Sequence, residues 1–350
     1  MTAPTTAATP PVVSIVLPAY NRAGTIAAAI ASVLRQTWTD FELIVVDDGS
    51  TDGTLAAAAR VDDPRLRLVD GRVNRGAAGA RNLGAAMAKG RWIAFQDSDD
   101  EWLPEKLAKQ MARLAEAGEA VAGAYCGLLT LGWLDDAPDA RMAVRYVPEP
   151  GVAQAEGDIL APLLFDNLIS TQTLVVRRDR FEALGGFDGG SAAFEDWDFA
   201  IRLAQAGPIA FVDEPLVHQR LSPNSITRDT AAKLAGRIRL VERNRAAFAG
   251  HPALLARQYR YIANSCFWEG RDPRAARIWL GRALSTDRGN LRGVSHALRM
   301  ALRWYGSAGR AVRREGPPAL PAAHRNRRSS APVPAPAGSS VPSRAAPWRG

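Results

Sequence analysis

Short apolar runs rich in β-branched residues alternate with segments of helical periodicity over roughly the first 100 residues. This alternation is typical of βαβ units, in which helices cover both faces of a parallel sheet. We therefore expect an α/β fold with a mostly parallel central sheet flanked by helices. The predicted strands are 12–17, 41–46, 66–69 and the apolar start of 91–102, and the helices between them are 24–36, 55–60 and 76–89.

The following part of the chain extends this pattern less regularly. Turn residues interrupt 132–167, where the periodicity predicts no element. The remaining predicted elements are strands at 120–131, 173–176 and 209–212, and helices at 103–117, before Leu184 and around 199–204.

The C-terminal third contains two segments of different composition. Residues 229–306 have a helical pattern, whereas 307–350 are rich in Pro, Ala and Arg and poor in large apolar side chains. The latter segment has eight Arg and one Glu, so it carries +7 of the net charge of +8. Because such a composition cannot bury a core, we predict a basic disordered tail at 307–350 and a disordered N-terminus at 1–10. The α/β domain is expected at 11–228.

Polar clusters follow three of the predicted strands directly, at 19–21, 47–50 and 97–100. In parallel α/β sheets, ligands bind outside the carboxyl ends of the strands. The three clusters are therefore expected to share one crevice.

Three carboxylates follow the fourth strand, at Asp97, Asp99 and Asp100. Carboxylates this close repel one another and raise each other's pKa unless a cation lies among them. Their hard oxygen atoms suit Mg2+ or Mn2+, which in turn bind substrate phosphates. The alternative is an Asp-rich turn that caps the next helix and binds nothing.

Two further carboxylates, Asp47 and Asp48, end the second strand. An Asp at this place can accept a hydrogen bond from a nucleotide base, while Tyr20 in the neighbouring loop offers an aromatic face for stacking. Alternatively, Ser50 or Asp52 caps the following helix without a ligand. Capping explains those two residues well but leaves the paired carboxylates unexplained.

Arg81 lies in the first turns of the predicted helix 76–89, after a run of small residues. The free N–H groups at a helix start and a guanidinium group both favour a diphosphate. The alternative is an arginine on the protein surface.

A second acidic group begins a helix after the glycine-rich loop 185–190 and consists of Glu195, Asp196 and Asp198. Acids in the first turn compensate the helix dipole, which is one interpretation. The other is a general base: Asp196, crowded by Glu195 and Asp198, would have a raised pKa and could deprotonate an acceptor hydroxyl. The loop would then move over the acceptor.

Several signatures of other enzyme classes are missing from the sequence. It contains no Gly-x-Gly dinucleotide fingerprint, no P-loop and no Gly-x-Ser-x-Gly motif, which argues against hydride-transfer enzymes, NTPases and α/β-hydrolases. The only cysteines, Cys126 and Cys266, have no zinc-site or disulfide spacing, and a cytoplasmic setting fits them best. No apolar run is long enough to predict a transmembrane helix.

Together, the polar motifs resemble those of family 2 glycosyltransferases with the GT-A fold. Their order and spacing carry the resemblance, because each motif is weak alone. The resemblance covers roughly 11–226, and the matching segments are 18–21, 45–52, 74–82, 97–100 and 195–196.

The resemblance implies an inverting enzyme of cell-envelope polysaccharide biosynthesis. Such an enzyme transfers a sugar from a UDP- or dTDP-linked donor to a glycan or lipid-linked acceptor. By position, Tyr20 would stack on the base, Asp48 would bind its edge beside Asp47, and Arg81 would lie near the nucleotide.

The same resemblance assigns the acidic residues. Asp97 and Asp99 would form an Asp-x-Asp motif, with Asp99 reaching the ribose or the metal. Asp100 would bind Mn2+ or Mg2+. Asp196 would be the base that activates the acceptor hydroxyl.

Two departures from the family pattern qualify these expectations. The Gln-x-x-Arg-Trp motif of processive members is absent, which favours addition of a single sugar. His218 is out of register with the histidine that many members carry after the last strand, so we do not expect it to bind the metal.

The remaining expectations concern partners and alternatives. The basic C-terminal end is suited to peripheral contact with the inner face of the membrane, although a solvated tail is the simpler interpretation, and we expect no nucleic-acid partner. A catalytically inactive sugar-nucleotide-binding or scaffold protein is an alternative function. A nucleotidyltransferase is another, but 18–24 lacks the basic glycine-rich loop expected of one.

Overall fold

The computed structural model of the protein describes residues 10–133, 142–149, 154–191, 193–220 and 229–287. These residues lie in one compact unit, Met1–Ala297, while a second unit, Leu298–Gly350, falls outside the described residues. The predicted tail at 307–350 and nearly all of 1–10 also fall outside them, so their disorder and the membrane contact of the tail stay predictions.

Strands and helices alternate along the first half of the chain, as the sequence predicts. The region 132–167, which had no clear pattern, contributes β7 and α5. The strands are β1 Val13–Ala19, β2 Phe41–Asp47, β3 Leu66–Asp70, β4 Trp92–Phe95, β5 Glu101–Trp102, β6 Gly123–Trp133, β7 Met142–Val147, β8 Val175–Arg177 and β9 Ile209–Arg220. The helices are α1 Ile26–Leu34, α2 Thr54–Ala58, α3 Gly76–Ala86, α4 Lys106–Ala117, α5 Leu160–Phe165, α6 Arg178–Ala183, α7 Glu195–Ala206, α8 Thr230–Arg243, α9 Pro252–Trp268 and α10 Pro273–Thr286.

The described strands form one mixed sheet in the order β3-β2-β1-β4-β8-β6-β9-β5, and β7 pairs with β6. The first four strands are parallel, as expected. Beyond them, β8 runs antiparallel to both of its neighbours, whereas β9 is parallel to β6. An apolar run predicts a strand but not its direction, which depends on how the connecting segments return to the sheet.

Helix α3 packs directly against the parallel strands because its residues are small. A side chain at Gly84 would overlap Val16 and Val46 on β1 and β2. Arg81, three residues earlier in α3, is also buried and reaches Asp97 just after β4. The Ala-rich sequence of the helix therefore helps to fix the position of a candidate site residue.

Helices α8 and α9 pack on the α/β core. Asn244, which follows α8, donates a hydrogen bond to Asp198 in α7 at 2.7 Å, and Gln258 in α9 donates to the carbonyl oxygen of Leu164 in α5 at 2.8 Å. Among the described helices, none has both the length and the apolar character needed to cross a bilayer.

Candidate active site

The loops after β1 and β2 are tied together by short polar side chains. The backbone N–H of Asn21 donates to Ser50 Oγ at 2.9 Å, and that of Ala23 donates to Asp52 Oδ2 at 3.0 Å. Asp52 Oδ1 also accepts from the N–H of Thr54 at the start of α2, at 3.0 Å. The predicted capping by Ser50 or Asp52 is wrong, because the N-cap of α2 is Gly53 without a side-chain cap, and Ser50 and Asp52 join the two loops instead.

Three residues predicted to bind the nucleotide lie at this edge, but in different environments. Tyr20 is 45% exposed, whereas Asp47 and Asp48 are buried. Both oxygens of Asp48 accept from the N–H of Arg75, at 2.9 and 3.0 Å, and so hold the start of α3. Burial raises the pKa of Asp48. Asp47 accepts from the N–H of Ser50 through Oδ2, but its buried Oδ1 has no hydrogen-bond partner within the protein.

The acidic cluster after β4 contains carboxylates of unequal accessibility. Asp99 is partly exposed and lies 3.4 Å from Arg22, and burial and the neighbouring Asp97 raise its pKa. Asp100 is buried; Gln172 Nε2 donates to it at 2.9 Å and the N–H of Arg220 at 3.3 Å. Its pKa is raised well above the usual value by burial and by the other two aspartates.

This cluster fits part of a divalent-cation site. A cation would relieve the repulsion that raises the pKa values of Asp99 and Asp100. In the part of the chain that the structure describes, no group of three or more His, Cys, Asp or Glu side chains is arranged to hold a metal by itself. Water and substrate phosphates would have to complete the coordination, as they commonly do for Mg2+. Asp99 is the more available of the two predicted ligands.

Arg81 joins this acidic cluster to the start of α7. Its Nη2 lies 2.6 Å from Asp97 Oδ1 and its Nη1 lies 2.9 Å from Glu195 Oε1. Burial alone would lower the pKa of Arg81, but the two carboxylates raise it above its usual value. The guanidinium is 5% exposed, so the alternative of a surface arginine is wrong. Contact with a diphosphate stays a prediction.

Asp196 lies in the first turn of α7, next to this bridge. Asn167 Nδ2 donates to its Oδ2 at 3.2 Å, and the N–H of Trp197 donates to its Oδ1 at 2.7 Å. Burial, reinforced by the charge of Glu195, raises the pKa of Asp196 to about 7. The group is therefore poised to accept a proton near neutral pH.

The predicted crowding of Asp196 by Asp198 is wrong. Helical geometry points the two side chains in different directions, because residues two apart do not face each other. Asp198 is buried and forms an ion pair with Arg202 at 2.7 Å. Its role is structural, within the contact between α7 and the end of α8.

The glycine-rich loop 185–190 is held by hydrogen bonds, ring packing and an ion pair, and its movement over the acceptor stays a prediction. Asn82 accepts from the N–H of Phe187 at 2.9 Å and donates to its carbonyl oxygen at 2.8 Å. The Phe187 ring packs on Phe95, with the centroids 5.0 Å apart, and Asp188 pairs with Arg239 on α8. Gly185 and Gly186 have positive φ angles, which glycine adopts without steric cost, so these glycines allow the chain to turn here.

Three residues that sequence reasoning missed support the site: Asn82, Asn167 and Gln172. Each donates a side-chain hydrogen bond to a site residue or to a loop beside it. Asn82 was within a matching motif and could have been singled out there. The other two lie in or beside the poorly patterned region, where the sequence carries no local signal.

Comparison with known proteins gives a family match for the N-terminal part of the site. Residues 14–127 match the family model described as glycosyl transferase family 2. This segment belongs to that family. It contains the nucleotide-side residues and the acidic cluster, while Asp196 lies beyond it.

Two bacterial proteins are similar to parts of the chain. The succinoglycan biosynthesis protein ExoO of Rhizobium meliloti (strain 1021) is 47% identical over 112 residues, 32% of this chain and 32% of the relative. The UDP-Glc:alpha-D-GlcNAc-diphosphoundecaprenol beta-1,3-glucosyltransferase WfgD of Escherichia coli is 46% identical over 102 residues, 29% of this chain and 40% of the relative. The similarity therefore spans less than half of each relative.

A solved structure is similar over most of the chain. The mannosyltransferase PcManGT from Pyrobaculum calidifontis, in complex with GDP-Man and Mn2+, has a TM-score of 0.55 and 19% sequence identity. The likeness covers 88% of this chain and 82% of that one. The expected GT-A fold is thereby confirmed.

Proposed function

We propose that the protein is a metal-dependent, inverting glycosyltransferase that adds a single sugar from a nucleotide-diphosphate donor to a hydroxyl group of a glycan or lipid-linked acceptor. The Arg81 bridge is the observation that carries this proposal, because it joins Asp97 in the acidic cluster to Glu195 beside Asp196. Sugar transfer from a diphosphate requires a base for the acceptor and stabilisation of the leaving group. The bridge brings candidates for both tasks into one assembly.

The nucleotide would bind at the edge formed by Tyr20 and Asp47. The exposed ring of Tyr20 can stack on a base, and the unpartnered Oδ1 of Asp47 can accept from a base N–H. Asp48 would support this edge by holding the start of α3. The name of the Escherichia coli relative specifies UDP-Glc and a diphosphate-linked lipid acceptor, which supports a UDP-sugar donor and a lipid-linked acceptor here.

Asp99 and Asp100 would hold Mn2+ or Mg2+, with Asp99 the more accessible ligand. When bound, such a cation supplies Lewis-acid stabilisation of the leaving diphosphate, so no proton donor is needed. The Mn2+ in the solved mannosyltransferase of the same fold supports a divalent cation. Asp97 and Arg81 would orient the cluster.

Asp196 would accept the proton of the acceptor hydroxyl. The acceptor oxygen attacks the anomeric carbon from the face opposite the diphosphate, and the bond from that carbon to the diphosphate oxygen breaks. The electron pair leaves with the nucleoside diphosphate, and the configuration at the anomeric carbon inverts. A pKa of about 7 makes Asp196 a strong enough base for this task while leaving much of it ionised near neutral pH.

Donor hydrolysis with Mn2+ tests this proposal without knowledge of the acceptor. Wild-type protein should release nucleoside diphosphate from at least one of a panel of UDP- and dTDP-sugars. Asp196→Asn should reduce turnover about 1000-fold or more, in line with the loss of a general base, but should leave donor affinity nearly unchanged. Asp62→Asn, an exposed change outside the site, is the matched control. Donor binding without hydrolysis in the wild type would instead favour an inactive sugar-nucleotide-binding protein.

A further inference from the structure

A cluster of aromatic rings and arginine side chains lies between α5, α7, α8 and α9. The Arg237 guanidinium lies 5.2, 5.0 and 4.9 Å from the ring centroids of Phe194, Trp197 and Tyr261. The Arg257 guanidinium lies 3.7 Å from the centroid of Phe165 and 4.7 Å from that of Tyr261. These residues form what we call the aromatic–arginine cluster: Phe165, Phe194, Trp197, Arg237, Arg257 and Tyr261.

The cluster begins beside the proposed catalytic base. Phe165 lies two residues before Asn167, whose side chain donates to Asp196. Phe194 lies two residues before Asp196 itself. Since two residues of extended chain span at most about 7 Å, Phe194 lies within that distance of the base along the backbone, and Phe165 is connected to the base through Asn167. An acceptor whose hydroxyl reaches Asp196 would therefore have this cluster beside it.

Two of the rings are open to a ligand. Phe165 is 49% exposed and Tyr261 is 41% exposed, although most large aromatic side chains in the core of this protein are buried. Aromatic faces offer apolar area with little loss of side-chain entropy, and Tyr also offers a hydroxyl for hydrogen bonding. The exposed rings would suit the apolar face of an acceptor sugar.

The positive charges of Arg237 and Arg257 are not paired with carboxylates of the described residues. Among the described residues no carboxylate forms an ion pair with Arg257, and its buried Nε has no hydrogen-bond partner. Arg237 donates to Gln258 Oε1 at 2.8 Å. Burial lowers the pKa of Arg237, with Arg257 acting in the same direction and only Asp166 and Tyr261 opposing them. A bound anion would relieve the repulsion between the two guanidinium groups, and planar guanidinium groups match phosphate oxygens in pairs.

We propose that the aromatic–arginine cluster binds the acceptor and that this acceptor is a sugar diphosphate, with the sugar on Phe165 and Tyr261 and the diphosphate at Arg237 and Arg257. The inference rests on the proposed function, because it requires Asp196 to face the acceptor. It names the acceptor class, which the family of residues 14–127 does not determine.

Calorimetric binding with the donor site filled by UDP and Mn2+ tests this proposal. The probe is N-acetylglucosamine joined through a diphosphate to a short alkyl chain, and the matched probe is the uncharged alkyl glycoside. Wild-type protein should bind the diphosphate probe at least about tenfold more tightly than the glycoside. Arg257→Gln should remove that preference, whereas Arg257→Lys should retain part of it. Arg67→Gln, an exposed arginine on β3, should have no effect.

The results of these experiments distinguish a failure of the acceptor proposal from a failure of the proposed function. Equal affinity for the two probes, no binding of the diphosphate probe, or an unchanged preference in Arg257→Gln would each overturn the acceptor proposal. A thermal unfolding curve for Arg257→Gln that matches wild type excludes misfolding as the cause of a lost preference. Donor hydrolysis reports on the proposed function independently: it should persist in Arg257→Gln, and its absence in wild type would count against the transferase itself.

Discussion

The general-base assignment makes a specific prediction about pH. Asp196 has a pKa of about 7, and burial is the first cause and the charge of Glu195 the second. Glu195→Gln removes the like charge but keeps an oxygen that can accept from Arg81. In this variant the pKa of Asp196 should therefore fall. Burial should still keep it above the ordinary value for an aspartate, which is 3.8.

The size of the effect follows from the ionised fraction. With a pKa of about 7, Asp196 is about one-tenth ionised at pH 6 and about nine-tenths ionised at pH 8. If only the ionised form accepts the proton, kcat/KM should rise about tenfold between these pH values. In Glu195→Gln the rise should move to lower pH, so the ratio between pH 8 and pH 6 should shrink towards one.

Initial rates at subsaturating donor, with fixed Mn2+ and matched ionic strength, measure this profile. Glu182→Gln, an exposed change on α6, should leave the profile unchanged. A flat wild-type profile between pH 6 and 8, or the same midpoint in wild type and Glu195→Gln, would refute the assignment of Asp196 as a base tuned by Glu195.

Three other predictions follow from the same contacts. Asp196→Asn should stabilise the fold at pH 8 by on the order of 2 kcal/mol. The pKa of Asp196 is raised in the folded state, so the stability of the wild type falls as pH rises from about 4 to about 7, and the variant avoids this loss. Equal stability of variant and wild type in denaturant titrations at pH 8 would contradict this. Arg81→Lys, which keeps the charge but cannot span both carboxylates, should lower kcat at least about tenfold, and retained kcat would argue against the bridge. Asp99→Asn should raise the Mn2+ concentration for half-maximal hydrolysis about tenfold or more, and an unchanged requirement would exclude it as a ligand.

Local sequence determined most of the strands and helices outside 132–167 and the site residues at strand ends. Tyr20, Asp47 and Asp97 lie at or within two residues of the ends of β1, β2 and β4, so the alternation of strands and helices was enough to predict that they share one edge of the sheet. The prediction succeeded because the carboxyl ends of parallel strands meet wherever such a sheet forms. The acidic motif at the start of α7 was also recognisable as the source of a candidate base.

Only the tertiary structure decided which contacts these residues make and therefore which roles they can have. Arg81 and Glu195 are 114 positions apart, and no local pattern could predict that the arginine would be buried between two carboxylates. The fold also separated Asp198 from Asp196, anchored the loop 185–190, and reversed β8 against its neighbours. Each of these outcomes depends on packing between distant segments, whose free energy is set by burial and charge partners rather than by neighbours in sequence. The aromatic–arginine cluster, drawn from α5, α7, α8 and α9, has the same origin.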